Sequence, residues 1–438
     1  MAAVAAEPSV AQSLAEALRR TYDTNPTIAA ERARFRAAGE AKAQAWSAVL
    51  PQIVAGGSVE RVDNDTDVVA APGGIDPTLF GATDASTRLD TIVGEVSGEL
   101  EVFNGLRNVN AIRQARARIE AGGASLAAVE QDVLTRAAAA YFDVLRDLSV
   151  FTANAKNVEV LAARRREAEV RFEVGDVTRT DVAQAEARLA GARADLAGAQ
   201  AGLALSRASF AEIVGDPPAD LDPEPGLPAA PETLDAAIEL ARGYAPNALA
   251  ARAAADASRR GVAIARSAFA PSVSLTTRYR YAEDPNFFVE TDEQFAYGVR
   301  ASVPLFTGGL NLSRVREAKA LAEADRRNVD AAERRAEAET IAAWERRAAA
   351  LAGVRSAEAG VAANELALKG VRLEADVGAR TTLDVLDAEQ ELLTARVALA
   401  NARRDARVAR FEILRSVGLL TIDAVEAAAG DADMPSAR

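Results

Sequence analysis

The chain has 438 residues and contains neither Cys nor His, which excludes disulfides, thiol nucleophiles, zinc sites and every His-dependent acid–base or triad scheme. Fifty-one Lys and Arg stand against 64 Asp and Glu, a net charge of −13, so the basic footprint of a nucleic-acid binder is absent and no nucleic-acid partner is expected. Aromatics make up 5% of the chain and hydrophobic residues 49%; much of the latter is Ala, which together with Arg and Glu is helix-favouring composition.

In chain order, residues 1–50 open with Met1-Ala2-Ala3-Val4-Ala5-Ala6-Glu7, which fits either the stub of a signal-cleavage site or an ordinary terminus. The missing Cys leads us to expect no N-terminal lipid anchor. A helix follows, breaks near Pro26 and resumes as far as Pro51. The longest uncharged stretches, such as Ala43 to Val59, carry Gln and Ser and are broken by Pro51, so no membrane-spanning helix is expected.

Residues 51–103 change period from 3.6 to 2: Val96, Gly98, Leu100 and Val102 alternate with Glu95, Ser97, Glu99 and Glu101. The pattern predicts a β-hairpin whose strands are ~10 residues long, the length a tilted strand needs to cross a bilayer. An amphipathic sheet on a soluble core gives the same alternation. Residues 104–214 then hold a proline-free helix to about Phe172, a turn near 173–178 with Gly175 at the C-cap position, and a returning helix. Heptad spacing of Ile119, Leu126, Val133 and Ala140 is coiled-coil spacing with small knobs. Residues 215–232 carry Pro217, Pro218, Pro223, Pro225, Pro228 and Pro231, a non-helical crossover.

The second half repeats the first. Residues 233–270 again hold helices broken at Pro246. Residues 271–306 hold a second hairpin, in which Val273, Leu275, Thr277, Tyr279 and Tyr281 alternate with polar neighbours. Residues 307–418 hold a second helix pair with its turn near 376–381 and Gly378, and residues 419–438 form a tail expected to fade into disorder. A constant offset of 203 pairs Phe103 with Phe306, Tyr141 with Trp344, Gly175 with Gly378, Thr178 with Thr381, Asp181 with Asp384 and Gly215 with Gly418. Upstream the offset is 220, pairing Pro26 with Pro246 and Pro51 with Pro271. The first hairpin segment is therefore 17 residues longer than the second, which marks an exposed loop. The fold class read from this pattern is mainly α with a small β part, in two tandem repeats.

The second tip, Val377-Gly378-Ala379-Arg380-Thr381-Thr382-Leu383-Asp384-Val385-Leu386-Asp387-Ala388-Glu389, and its counterpart Val174-Gly175-Asp176-Val177-Thr178-Arg179-Thr180-Asp181-Val182 resemble the tip turns of the TolC family of outer-membrane channel-tunnel proteins. Leu50-Pro51, Ala270-Pro271 and Pro304-Leu305-Phe306 add to the resemblance, which covers nearly the whole chain. It implies a homotrimer with a twelve-stranded outer-membrane β-barrel, contributed as four strands per chain, above a periplasmic α-barrel. It implies contact with outer-membrane lipid, a periplasmic adaptor, and an inner-membrane pump of ABC or RND type. The resulting function is a passive exit duct for efflux or type I secretion, with no enzymatic step, metal or cofactor. Residue by residue, Asp384 and Asp387 match the family's acidic ring, and Arg380 and Asp181 match its gate salt bridge. Ala375 stands where the family has an aromatic, so closure is expected to be looser.

Two rival classes fit parts of the pattern. A soluble coiled-coil scaffold of the cell envelope accounts for the helices but not the hairpins. A carboxylate enzyme centred on Asp384 and Asp387 conflicts with the missing His and Cys. The weaker signals are bland. Asp63-Asn64-Asp65-Thr66-Asp67 lacks the Gly and Glu of a calcium loop, and Asn64-Asp65-Thr66 and Asn311-Leu312-Ser313 match a glycosylation triplet at chance level.

Overall fold

A computed structural model of the chain describes residues 12–66, 85–286 and 289–432. The Met1–Glu7 start, Asp67 of the calcium-like run and the loop expected between the strands of the first hairpin lie outside the described residues. The first repeat contains α1 (Leu14–Thr24), α2 (Pro26–Ser47), β1 (Gln52–Thr66), β2 (Ala85–Asn104), α3 (Arg107–Glu173) and α4 (Arg179–Val214). The second contains α5 (Leu234–Tyr244), α6 (Pro246–Ser267), β3 (Ser272–Asn286), β4 (Val289–Ser302), α7 (Leu310–Asp376) and α8 (Thr382–Ser416), after which α9 (Ile422–Ala432) closes the described chain. Both α3 and α7 have 67 residues, as the constant offset requires.

Two compact units emerge, 1–36 with 120–252 and 327–438, and 37–119 with 253–326. The second unit holds the sheet, in the order β1-β2-β3-β4, all antiparallel. Its register sorts the side chains cleanly. Ile53, Gly98, Thr277 and Tyr297 form one row, flanked on the same face by Ala55, Val96, Tyr279 and Phe295 and by Leu100, Leu275 and Val299. This apolar face is open to its surroundings: Tyr297 is 83% and Ile53 74% exposed. The opposite face carries Glu95, Glu99, Arg278 and Arg280, with Arg278 Nε 3.1 Å from Glu95 Oε1.

The strands run 14 to 20 residues rather than the ~10 expected from the apolar alternation. Pairing of β1 with β2 continues past the apolar rows on cross-strand ion pairs, Arg61–Asp90 and Arg88–Asp63. Opposite charges placed directly across a ladder stabilise it without any apolar signal. The repeat is visible in single hydrogen bonds of this unit. Asn108 Nδ2 donates to the Ala48 carbonyl at 2.8 Å, and its counterpart Asn311 donates to Ala268 at 2.9 Å. Both amides are buried, so the glycosylation-like triplet at Asn311 is a packing element.

In the other unit the core gathers Tyr141, Phe142, Phe210 and Phe411 with Leu14, Leu18 and Leu134. The Tyr141 hydroxyl lies 2.9 Å from the carbonyls of both Gln12 and Asp222, which share its one proton. It pins the Pro-rich crossover, whose Leu221 is buried and bridges Gln12. The described residues beyond Leu420 differ from expectation, while 433–438 lie outside the described residues. Residues 422–432 form α9, with Thr421 Oγ1 accepting from the Ala424 amide. Ile422 and Val425 are buried in the core that also holds Leu14 and Leu18 of α1. Its Ala-rich sequence reads as a loose end only until that apolar stripe finds α1.

Candidate functional site at the helix tips

The two tip turns are built alike. Gly175 and Gly378 sit at φ +79° and +78°, the left-handed region that ends a helix most readily with Gly. The amide of Asp176 donates to the Arg171 carbonyl and that of Ala379 to the Glu374 carbonyl, both at 2.8 Å. These six-residue closures satisfy helix-end carbonyls. The next helices begin with identical capping boxes. Thr178 Oγ1 accepts from the Asp181 amide while the Asp181 carboxylate accepts from the Thr178 amide and hydroxyl; Thr381 and Asp384 repeat this, with carboxylate contacts of 2.8 Å. Donation from Thr178 holds the Asp181 carboxyl below the usual carboxylate range, helped by Arg171. Donation from Thr381, helped by Arg380, does the same for Asp384.

The turns differ in polarity. In the first, Arg171 Nε pairs with Asp176 Oδ2 at 2.7 Å. In the second, the equivalent of Arg171 is Glu374, which accepts from Arg380 Nε at 2.8 Å. The equivalent helix-end positions thus carry opposite charges, each met from the turn by the other sign, with Arg380 one place beyond the equivalent of Asp176.

This geometry places every residue expected at the tip but pairs them differently. Asp181 and Arg380 line one cleft of about 370 Å³, with Ala375 and Arg372 also in its wall. No ion pair joins Asp181 to Arg380 within this chain: Asp181 caps α4, and Arg380 is held by Glu374 of its own turn. Asp384 serves as a cap before any role in a ring. Asp387 is paired as well, its Oδ1 2.5 Å from Nη2 of Arg188 on α4. Sequence reasoning missed Arg188, and it also missed Glu389, buried on α8 and joined to Arg372 of α7. The usable signal lay in the repeat: Arg188 corresponds to Glu391 and Asp387 to Gln184, so the copies diverge at both ends of the new contact.

Among the described residues no cluster of acidic side chains is arranged to hold a metal. No described helix is long and apolar enough to cross a membrane, which says nothing about the strands.

Comparison with known proteins agrees with this architecture. The chain is 31% identical over 421 residues to the outer membrane efflux protein BepC of Brucella suis, covering 95% of this chain and 88% of that protein. It is 28% identical over 425 residues to the outer membrane protein TolC of Vibrio cholerae, covering 94% and 92%. Its fold is similar to the crystal structure of the outer membrane protein VceC from Vibrio cholerae, with a TM-score of 0.75 at 22% identity over 92% of this chain and 96% of that one. The family model described as outer membrane efflux protein matches residues 17–216 and 237–419, and the chain belongs to that family.

Proposed function

We propose that the chain works as a homotrimeric passive exit duct, opened at its helix tips by a periplasmic adaptor and an inner-membrane pump. It is an outer-membrane protein of the efflux type. The observation that carries the trimeric duct is the sheet. Its apolar face is exposed, and β1 and β4 are each paired on one side only among the described residues. Open edges of such strands seek partners. Four strands cannot close a barrel, for which ~8 is the minimum, whereas three chains supply twelve. From Ile92 to Leu100 on β2 the apolar face runs eight residue steps, roughly 26 Å along the strand. On a strand tilted by ~35–45° that length covers about 20 Å of the ~25 Å apolar band of outer-membrane barrels. The polar face would then line the lumen.

In this reading the chain performs no chemical step, and the pump supplies the energy. A soluble scaffold leaves the exposed Tyr297, Phe295 and Ile53 with nothing to cover them. The efflux and type I secretion readings share one duct design, and both put cargo through the same tip. The test is single-channel recording of the purified protein in a planar bilayer, with its mass measured in detergent. Steady small currents from a particle of three chains are expected. A monomer that never inserts, across several lipids, would overturn the reading.

A further inference from the structure

We propose that Arg188 is the closed-state counter-ion of Asp387, so that one contact both holds the second hairpin against the first and neutralises part of the mouth's acidic charge. The inference rests on the duct reading above and deepens it.

The contact has a defined seat. Leu386, directly before Asp387, is 1% exposed and packs in a cluster with Leu161, Ala168, Ala185 and Leu189 of α3 and α4. Leu189 directly follows Arg188. The two charges therefore stand at the rim of an apolar joint that already fixes their backbones. An exposed ion pair is usually weak because two long side chains must be ordered to make it. Here packing of the adjacent residues supplies much of that ordering. Sequence divergence makes the contact one-sided. The repeat-equivalent positions hold Gln184 and Glu391, which form no ion pair, so only the second hairpin is fastened to the first in this way.

The contact also sets charge. Asp384 is engaged with Thr381 in its cap, and Asp387 is engaged with Arg188. Moving α8 away from α4 separates Asp387 from its counter-ion and leaves α8 capped. Each chain would then present an unpaired Asp387 carboxylate on α8, with the freed Arg188 left behind on α4. Rings of carboxylates draw cations and repel anions, so displacement of the tip and a gain in cation preference are one event.

Two substitutions separate this from a merely structural contact. Arg188→Gln and Asp387→Asn both break the pair, and both should raise the closed-state conductance in a planar bilayer. A rise of about threefold is expected if a weak exposed pair is lost in each of three chains. Their selectivity should move in opposite directions. Arg188→Gln leaves three unpaired carboxylates and raises the potassium-to-chloride permeability ratio above that of the unmodified protein, while Asp387→Asn removes them and lowers it. The exchanged double variant, Arg188→Asp with Asp387→Arg, should restore the low conductance. Variants that conduct and select like the unmodified channel overturn the proposal while leaving the duct reading intact. Selectivity that shifts the same way in both single variants also overturns it. Failure of the unmodified protein itself to form channels overturns both.

Discussion

Thr178 and Thr381 each give a backbone amide and a hydroxyl to the aspartate three residues on, and this makes the tips acid-sensitive in a definable range. Asp181 and Asp384 are held below the usual carboxylate range by those donors. A lowered folded value means that the caps contribute fully above the unfolded value of ~3.9 and lose their contribution as pH falls through the folded value. Amide exchange at the starts of α4 and α8 should therefore be insensitive between pH 7 and 5, after correction for intrinsic rates, and accelerate only below about pH 4. Loosening already complete at pH 5 would contradict the assignment. Thr178→Ala removes the reciprocal cap and should speed exchange in the first turn of α4 about fivefold, the factor for a typical N-cap, without changing α8. The sequence reading placed the Gly turns but not these caps, although a capping box is a local pattern of Thr, two intervening residues and Asp. The Arg188–Asp387 contact was not legible there, because it depends on how α4 and α8 dock across 199 positions.

The two hairpins of helices are held by different chemistry. Arg346–Glu412, Glu358–Arg403, Glu365–Arg396 and Arg372–Glu389 join α7 to α8 along its length. The repeat equivalents in α3 and α4 include Ser209, Ala155, Gln200 and Ala162, which cannot reproduce these pairs. The first hairpin relies on Leu161, Ala168, Ala185, Leu189 and Ala192 instead. Salt screens exposed charges and leaves apolar burial in place. Raising NaCl from 50 mM to 1 M should increase amide exchange in the lower halves of α7 and α8 more than in those of α3 and α4; equal responses would show that the ion pairs contribute nothing measurable. The helices themselves were readable from proline spacing and offset, to within a few residues at each end. The strands were read too short; in β1 and β2 the outer ends pair through Arg61–Asp90 and Arg88–Asp63, where apolar alternation has already ceased. The helix α9 was read as a loose tail, since its packing against α1 joins opposite ends of the described chain.

At the scale of the molecule, the missing Cys becomes an experimental advantage. In the proposed trimer β1 of one chain lies beside β4 of the next. A panel of double variants, each with one cysteine on β1 between Val54 and Val62 and one on β4 between Gln294 and Arg300, has no competing thiol. Mild oxidation should give one or more pairs that cross-link into covalent trimers, reversed by reductant, while single-cysteine controls remain free of trimers. Random dimers across the whole panel would argue against a closed ring of edges. What the sequence conveyed at this scale was the pairing of two similar halves and an alternating hairpin in each. Closure of β1 and β4 by other copies followed there only from the strand count and the family resemblance, and it stays part of the proposal.

The reversed ion pairs at the tips carry a consequence for whatever docks there. In the proposed trimer, three chains with two similar halves would make six nearly equal tips, with Arg171–Asp176 and Glu374–Arg380 alternating around them. Such a ring would have the outline of a hexagon and the chemistry of a triangle. A partner arriving as six identical copies would face two unlike seats and could be in register only every second step, like a key cut for alternate wards of a lock.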